Sequence, residues 1–128
     1  MKSKQPKDLK RNQTTFKVVD NILNKWSCSL EEKTAILDIS EAECSSNLEG
    51  GSGSKFADET LERMSYILNI YECLAVLHQN PENRFGFLRL KNHSRVFNGA
   101  TPLAYIIEIG STTALDNVYK YLDGARHY

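Results

Sequence analysis

Long apolar runs are missing from this 128-residue chain. None approaches the roughly 18 residues that a helix needs to cross a bilayer, which argues against a helical membrane span. The opening Met1-Lys2-Ser3-Lys4-Gln5-Pro6 holds no apolar core of a secretory signal. Cysteine is scarce, with only three residues, Cys28, Cys44 and Cys73, odd in number and irregular in spacing. That pattern speaks against a disulfide framework and for a reducing compartment, so a cytoplasmic location is expected. Cys73 and His78 with Cys28 or Cys44 have the chemistry of metal ligands, but no Cys-x2-Cys pair or other zinc spacing occurs, and no metal or cofactor is expected. A nucleophilic Cys paired with His93 or His127 would lack any residue pattern to orient it, and a buried helical cysteine is the commoner explanation. The chain therefore reads as a binding protein with no catalytic residues, not as an enzyme.

Net charge is also missing, because 16 basic side chains balance 16 acidic ones. The balance is uneven along the chain. Residues 1 to 17 carry six basic and one acidic side chain, residues 18 to 62 carry three and ten, and residues 63 to 128 carry seven and five. An overall basic field of the kind that drives nucleic-acid binding is absent, although a local basic arm would still fit. With 41% apolar residues, the chain has the material for one compact domain, or for two very small helical subdomains sharing a core.

What is present is helical periodicity. Residues 1 to 14 are polar and Lys-rich with nothing to bury, and read either as a solvated tail or as a basic arm lying along phosphates, with Lys10 and Arg11 its DNA-facing candidates. From Thr15, the residues Phe16, Val19, Ile22, Leu23 and Trp26 recur at three- and four-residue intervals, the stripe of an amphipathic helix. Ser29 with Glu32 forms a capping box that starts a second helix at Leu30, running through Ile36 and Leu37. Ser40 with Glu43 repeats the device after a turn at Asp38-Ile39, so a third short helix runs to about Leu48. Two short helices joined by a tight turn suggest a helix-turn-helix. Gly50-Gly51-Ser52-Gly53-Ser54 reads as a flexible loop, with an engineered linker a minor alternative on its composition.

After Asp58, the residues Leu61, Met64, Ile67, Leu68, Tyr71, Leu74, Ala75 and Leu77 predict a long central helix, with Tyr66 and Tyr71 as core or dimer-interface residues. Pro81 opens a further helix with Phe85, Phe87, Leu88 and Leu90 as its apolar face. Arg84, Arg89, Lys91, His93 and Arg95 follow with no acid between Asn83 and Glu108. Phe97 reads as a core plug beneath that loop and Asn98-Gly99 as its turn. Thr101 caps a helix that has Pro102 at its first position and Gly110 at its end. Ser111 or Thr112 caps a last helix striped by Leu115, Val118, Tyr119 and Leu122. No strand pattern occurs, so the expected fold is all-α.

The order Glu62-Arg63-Met64-Ser65-Tyr66-Ile67-Leu68-Asn69-Ile70-Tyr71, then Phe97-Asn98-Gly99, Thr101-Pro102-Leu103, Gly110 and Val118 to Leu122 resembles the Xre/MbcA/ParS antitoxin family of bacterial type II toxin–antitoxin systems. The likeness is clearest from about Leu61 to Arg126. Ile22 to Gly50 is similar to the degenerate Xre-like helix-turn-helix that precedes the toxin-binding region in that family. Here Asp38 stands at the turn position usually held by Gly, and Glu41-Ala42-Glu43-Cys44-Ser45-Ser46-Asn47-Leu48-Glu49 replaces a basic recognition helix. Three carboxylates suit phosphates poorly, and Asn47 is the one residue of the base-reading type, flanked by Ser45 and Ser46.

The resemblance implies three segments: a basic flexible tail over 1–14, a degenerate helix-turn-helix over 15–57 and a toxin-binding domain over 58–128. It also implies a homodimer assembled with its toxin into a larger complex. The partner would be an NAD-consuming toxin of RES or ADP-ribosyltransferase-like type. The C-terminal helix and tail, ending in Arg126, His127 and Tyr128, would occlude the toxin's cleft. Arg126 brings a guanidinium fork, His127 an imidazole and Tyr128 a phenol, groups suited to a nucleotide site. Arg84, Arg89, Lys91 and Arg95 would meet an acidic rim on the toxin. The alternative reading is a dimeric DNA-binding autorepressor of its own operon, acting on operator DNA. Neither reading involves a membrane.

Overall fold

The computed structural model describes residues 6–49 and 56–126. Among these residues there are seven α-helices, one 3-10 turn and no strand, so the fold is all-α. The helices are α1 Pro6–Lys25, α2 Leu30–Leu37, α3 Glu41–Leu48, α4 Asp58–Leu77, α5 Pro81–Gly86, α6 Pro102–Ile109 and α7 Thr112–Arg126, with the 3-10 turn at Phe87–Arg89. None is long and apolar enough to cross a membrane.

The first helix starts at Pro6, not at Thr15 as the sequence pattern predicts. Proline suits the first helical position, and Lys, Arg and Gln lose little rotamer freedom in a helix, so nothing between Pro6 and Thr15 stops it. Periodicity marks where a helix becomes buried, not where it begins. From Phe16 on, the expected residues Phe16, Val19, Ile22, Leu23 and Trp26 are all buried. The helix ends in a Schellman motif: the Cys28 N–H donates to Leu23 O and the Ser27 N–H to Asn24 O, both at 2.9 Å, with Ser27 at φ 60°.

Both capping boxes form as the sequence predicts. Ser29 Oγ accepts from Glu32 N–H at 3.1 Å while Glu32 Oε1 accepts from Ser29 N–H at 2.9 Å. Ser40 and Glu43 pair in the same reciprocal way. Asp38, where the resembled family places Gly, takes the left-handed conformation at φ 56°. Aspartate enters that region more cheaply than most side chains, and the turn survives the replacement. The loop expected at Gly50 to Ser54 lies outside the described residues.

Helix α4 is the axis of the fold, and its most extensive contact is with α7, followed by α1. Its buried face is rotated from the expected stripe. Thr60, Arg63, Met64, Ile67, Ile70, Cys73 and Leu74 are buried, whereas Leu61, Leu68, Tyr71 and Leu77 are only partly covered. The apolar pattern misplaces the face because two polar residues, Thr60 and Arg63, belong to it. Thr60 Oγ1 donates to Leu37 O at 3.2 Å, and Arg63 Nη1 to Ile36 O at 3.1 Å, so together they satisfy carbonyls left open at the end of α2. One core cluster, from Phe16 on α1 through Leu88 to Leu122 on α7, runs through both halves of the chain.

Helix α5 starts at Pro81 under an Asn80 cap, and of its expected apolar face only Leu88 is fully buried. Phe85 and Phe87 are half-buried. Leu90 lies beyond the 3-10 turn and is 62% exposed.

Candidate binding surfaces

The segment from Leu90 to Thr101 has no regular secondary structure, yet its backbone is closely tied. Asn92 N–H donates to Ala100 O at 3.0 Å, Gly99 N–H to Asn92 O at 2.8 Å and Asn98 N–H to Ser94 O at 2.8 Å. The Asn92 side chain works in both directions, accepting from Ser94 N–H at 2.9 Å and donating to Tyr121 Oη at 3.3 Å. Phe97 is the buried plug expected from the sequence, edge-on to Tyr105 at 5.3 Å and to Tyr121 at 5.2 Å. Asn98 at φ 49° and Gly99 at φ 90° turn the chain behind it. Tyr105 in turn accepts from Asn117 Nδ2 at 2.8 Å, so the loop, α6 and α7 share one aromatic and amide lattice.

Thr101 Oγ1 accepts from Ala104 N–H at 3.1 Å and Pro102 occupies the first helical position, while Gly110 at φ 68° ends α6. The Gly110 carbonyl accepts from Arg63 Nη2 at 2.8 Å. Phe97, Asn98, Gly99, Thr101, Pro102 and Gly110 therefore all serve the architecture of the C-terminal half.

The four basic residues expected to face a partner divide into two kinds. Arg84 Nε donates to His78 O at 3.0 Å and Nη2 to Gln79 O at 3.1 Å, which ties α5 to the chain leaving α4. Arg89 donates to Trp26 O at 2.7 Å and Ser27 O at 2.8 Å and pairs with Glu32 at 2.9 Å, closing the end of α1 onto α2. These two are structural staples, because a planar fork can satisfy several carbonyls at once. Lys91 and Arg95, together with His93, are exposed.

The Arg89 staple also sets local titration. Glu32 is held below the ordinary carboxylate range, first by the Ser29 backbone N–H and then by Arg89. Burial, with Glu32 nearby, pushes the Cys28 thiol up to about 11. Cys44 and Cys73 are likewise buried, free and shifted upward by desolvation. Such thiols are poor nucleophiles. Among the described residues no three His, Cys, Asp or Glu side chains group in a way that could hold a metal ion.

At the C-terminal end, Arg126 closes α7 with its Nε on Asp123 Oδ1 at 2.9 Å and its side chain about one-quarter exposed. His127 and Tyr128 lie outside the described residues. Across α4 and α7, Tyr66 donates to Asp116 Oδ1 at 3.2 Å, and Asp116 also pairs with Lys120 at 2.8 Å.

The candidate DNA-reading residues differ in exposure. Asn47 is buried, donating Nδ2 to Glu43 O at 2.7 Å, while its own carbonyl accepts from Gln13 at 3.4 Å. A base-reading role for Asn47 is therefore corrected: the α1 extension covers the side of α3 that carries it. Ser45 and Ser46 on α3, and Lys10 and Arg11 on α1, are exposed. The surroundings are acidic, since Glu31, Asp38, Glu41, Glu43 and Glu49 are exposed while Lys33 is buried against Asp20 at 2.8 Å.

No protein-family profile, curated protein or solved structure matches the chain. The geometry stands on its own. Sequence reasoning missed Arg63, Asn92, Tyr105 and Tyr121. For Arg63 a signal was present, because it falls at helical spacing from Ile67 and Ile70 inside an apolar run.

Proposed function

We propose that this chain is a non-enzymatic, cytoplasmic antitoxin of the Xre/MbcA/ParS type. It binds an NAD-consuming toxin of RES or ADP-ribosyltransferase-like type and occludes the active site with α7 and the residues that follow it. One observation carries the reading. The motif residues of the resemblance, Phe97, Asn98, Gly99, Thr101, Pro102 and Gly110, converge on a single unit that fixes α6 and α7 against α4. A rigid platform of that kind presents the end of a helix to a partner with little ordering cost.

The test is co-purification of the untagged chain with the tagged product of the neighbouring open reading frame, with light scattering of the complex and an assay of NAD loss. The expected result is a stable complex of defined mass with the toxin's NAD consumption abolished. Deletion from Arg126 onward should restore NAD consumption. Inhibition that survives the deletion would remove the occlusion mechanism, and the absence of a complex would remove the antitoxin reading.

The paired capping boxes around Asp38 favour a second reading, a dimeric autorepressor that binds operator DNA through α3 or the basic start of α1. It requires a mobility shift on the chain's own promoter with a steep salt slope. The exposed carboxylates on α2 and α3 oppose it. A flat titration at low salt would dispose of it.

A further inference from the structure

We propose that the Leu90–Val96 loop is a preformed docking surface for a carboxylate-rimmed apolar patch on the toxin; the proposal rests on the antitoxin reading above. The loop alternates. Asn92 and Ser94 are partly covered and held by the loop's own hydrogen bonds, while Lys91, His93 and Arg95 are exposed. None of these three makes a hydrogen bond or ion pair among the described residues, in contrast to Arg84 and Arg89 just upstream. Two aliphatic side chains bracket the cations, Leu90 at 62% and Val96 at 37% exposure. Arg95 is of the type that anchors interfaces, and the exposed Leu90 and Val96 on either side add apolar area that a partner can cover.

The loop is also fixed in place. Phe97, inserted between Tyr105 and Tyr121, and the Asn92 bond to Tyr121 hold its conformation before any partner arrives. Side chains displayed on a tied backbone lose less entropy on binding than those on a mobile one.

Charge complementarity selects the occupant. No acid occurs between Asn83 and Glu108, so the exposed Lys91 and Arg95 have no acidic neighbour along the loop itself and suit an acidic face. A nucleic acid fits less well, because phosphate-driven binding gains with each phosphate that a cation neutralises. This loop supplies two cations, Lys91 and Arg95, beside aliphatic groups that a phosphate backbone cannot use.

The experiment measures association of the full chain with the tagged product of the neighbouring open reading frame at about 50 and about 500 mM salt. Lys91→Glu combined with Arg95→Glu should slow association about tenfold or more at low salt and flatten its salt dependence. The conservative pair Lys91→Arg and Arg95→Lys should keep the wild-type rate. Leu90→Ser combined with Val96→Ser should speed dissociation severalfold. Unchanged thermal melts would exclude misfolding, since Lys91 and Arg95 make no internal bonds. Wild-type kinetics in the charge-reversed variant would overturn the docking proposal while leaving the antitoxin reading intact. Loss of promoter-DNA binding without loss of toxin binding would also overturn it. If wild type forms no complex, the functional reading falls, and this proposal falls with it.

Discussion

Arg63 Nη2 donates to the carbonyl of Gly110 at 2.8 Å, so a guanidinium on the central helix closes the C-terminal end of α6. The same group reaches Ile36 O on α2 and Glu59 on its own helix, with its side chain 3% exposed. A single cation thus ties α2, α4 and α6 together from inside the core. Its cost of burial is offset in part by these bonds to two carbonyls and a carboxylate, while Nε is buried with no partner among the described residues.

Arg63→Ala should destabilise the protein by about 1–3 kcal/mol, since the buried Ile36 carbonyl loses its partner, whereas the exposed Gly110 can turn its carbonyl to water. Arg63→Lys should recover only part of this, because one ammonium cannot span both sites. Urea unfolding checks both. A loss below about 1 kcal/mol for the alanine variant would mean that water replaces the guanidinium.

Phe97→Ala should cost about 3–5 kcal/mol, the range for a buried aromatic whose site relaxes incompletely. It should also loosen the loop, because Tyr105 and Tyr121 lose the ring between them. Hydrogen exchange would show this as faster exchange at Gly99 and Ala100, whose N–H groups donate to Asn92 O and Phe97 O. Wild-type exchange at those amides would show that the backbone bonds alone fix the loop.

Two turn residues should respond in opposite directions. Gly99→Ala makes only ordinary van der Waals contact, with the nearest atom, His93 Nδ1, at 3.6 Å from the new Cβ, but φ 90° strains any side chain. It should lose about 1–2 kcal/mol. Asp38→Gly relieves a left-handed aspartate and should gain a few tenths of a kcal/mol, up to about 1. Thermal denaturation of the pair decides this, and a destabilised Asp38→Gly would show that the carboxylate contributes more than the turn geometry.

Acid should weaken the fold partly through Glu32. Its folded pKa lies below the ordinary range, so its contribution is fully present above about pH 4.3 and is lost as pH falls through the lowered value. Asp116, lowered first by Lys120, acts with the same sign. Glu32→Gln should be less stable at neutral pH and lose less between about pH 5 and pH 2. Denaturant midpoints across that range provide the check, and parallel pH profiles for the two proteins would place the acid sensitivity elsewhere.

The elements most legible in the sequence are those whose causes lie within four residues. Ser29 with Glu32 and Ser40 with Glu43 close their helix starts by local hydrogen bonds, and Thr101-Pro102 and Gly110 bound α6 for equally local reasons. Phe97 was legible as a plug because a lone aromatic beside a Gly turn has few other uses. The basic cluster was legible as composition only, since nothing in the order Arg84, Arg89, Lys91, Arg95 distinguishes a staple from a free cation.

By itself, then, the chain's sequence determined helix type, caps, turn chemistry and the stripe of α1, all consequences of short-range sterics, hydrogen bonding and 3.6-residue periodicity. Tertiary structure alone decided that Arg63 and Thr60 belong to the core and that Arg89 grips Trp26 and Ser27 across the fold. It likewise decided that Asn47 faces inward while Lys91 and Arg95 stay free. The physical reason is that a polar side chain takes its role from whichever unsatisfied carbonyl or carboxylate folding brings to it, and those partners lie tens of residues away in the chain.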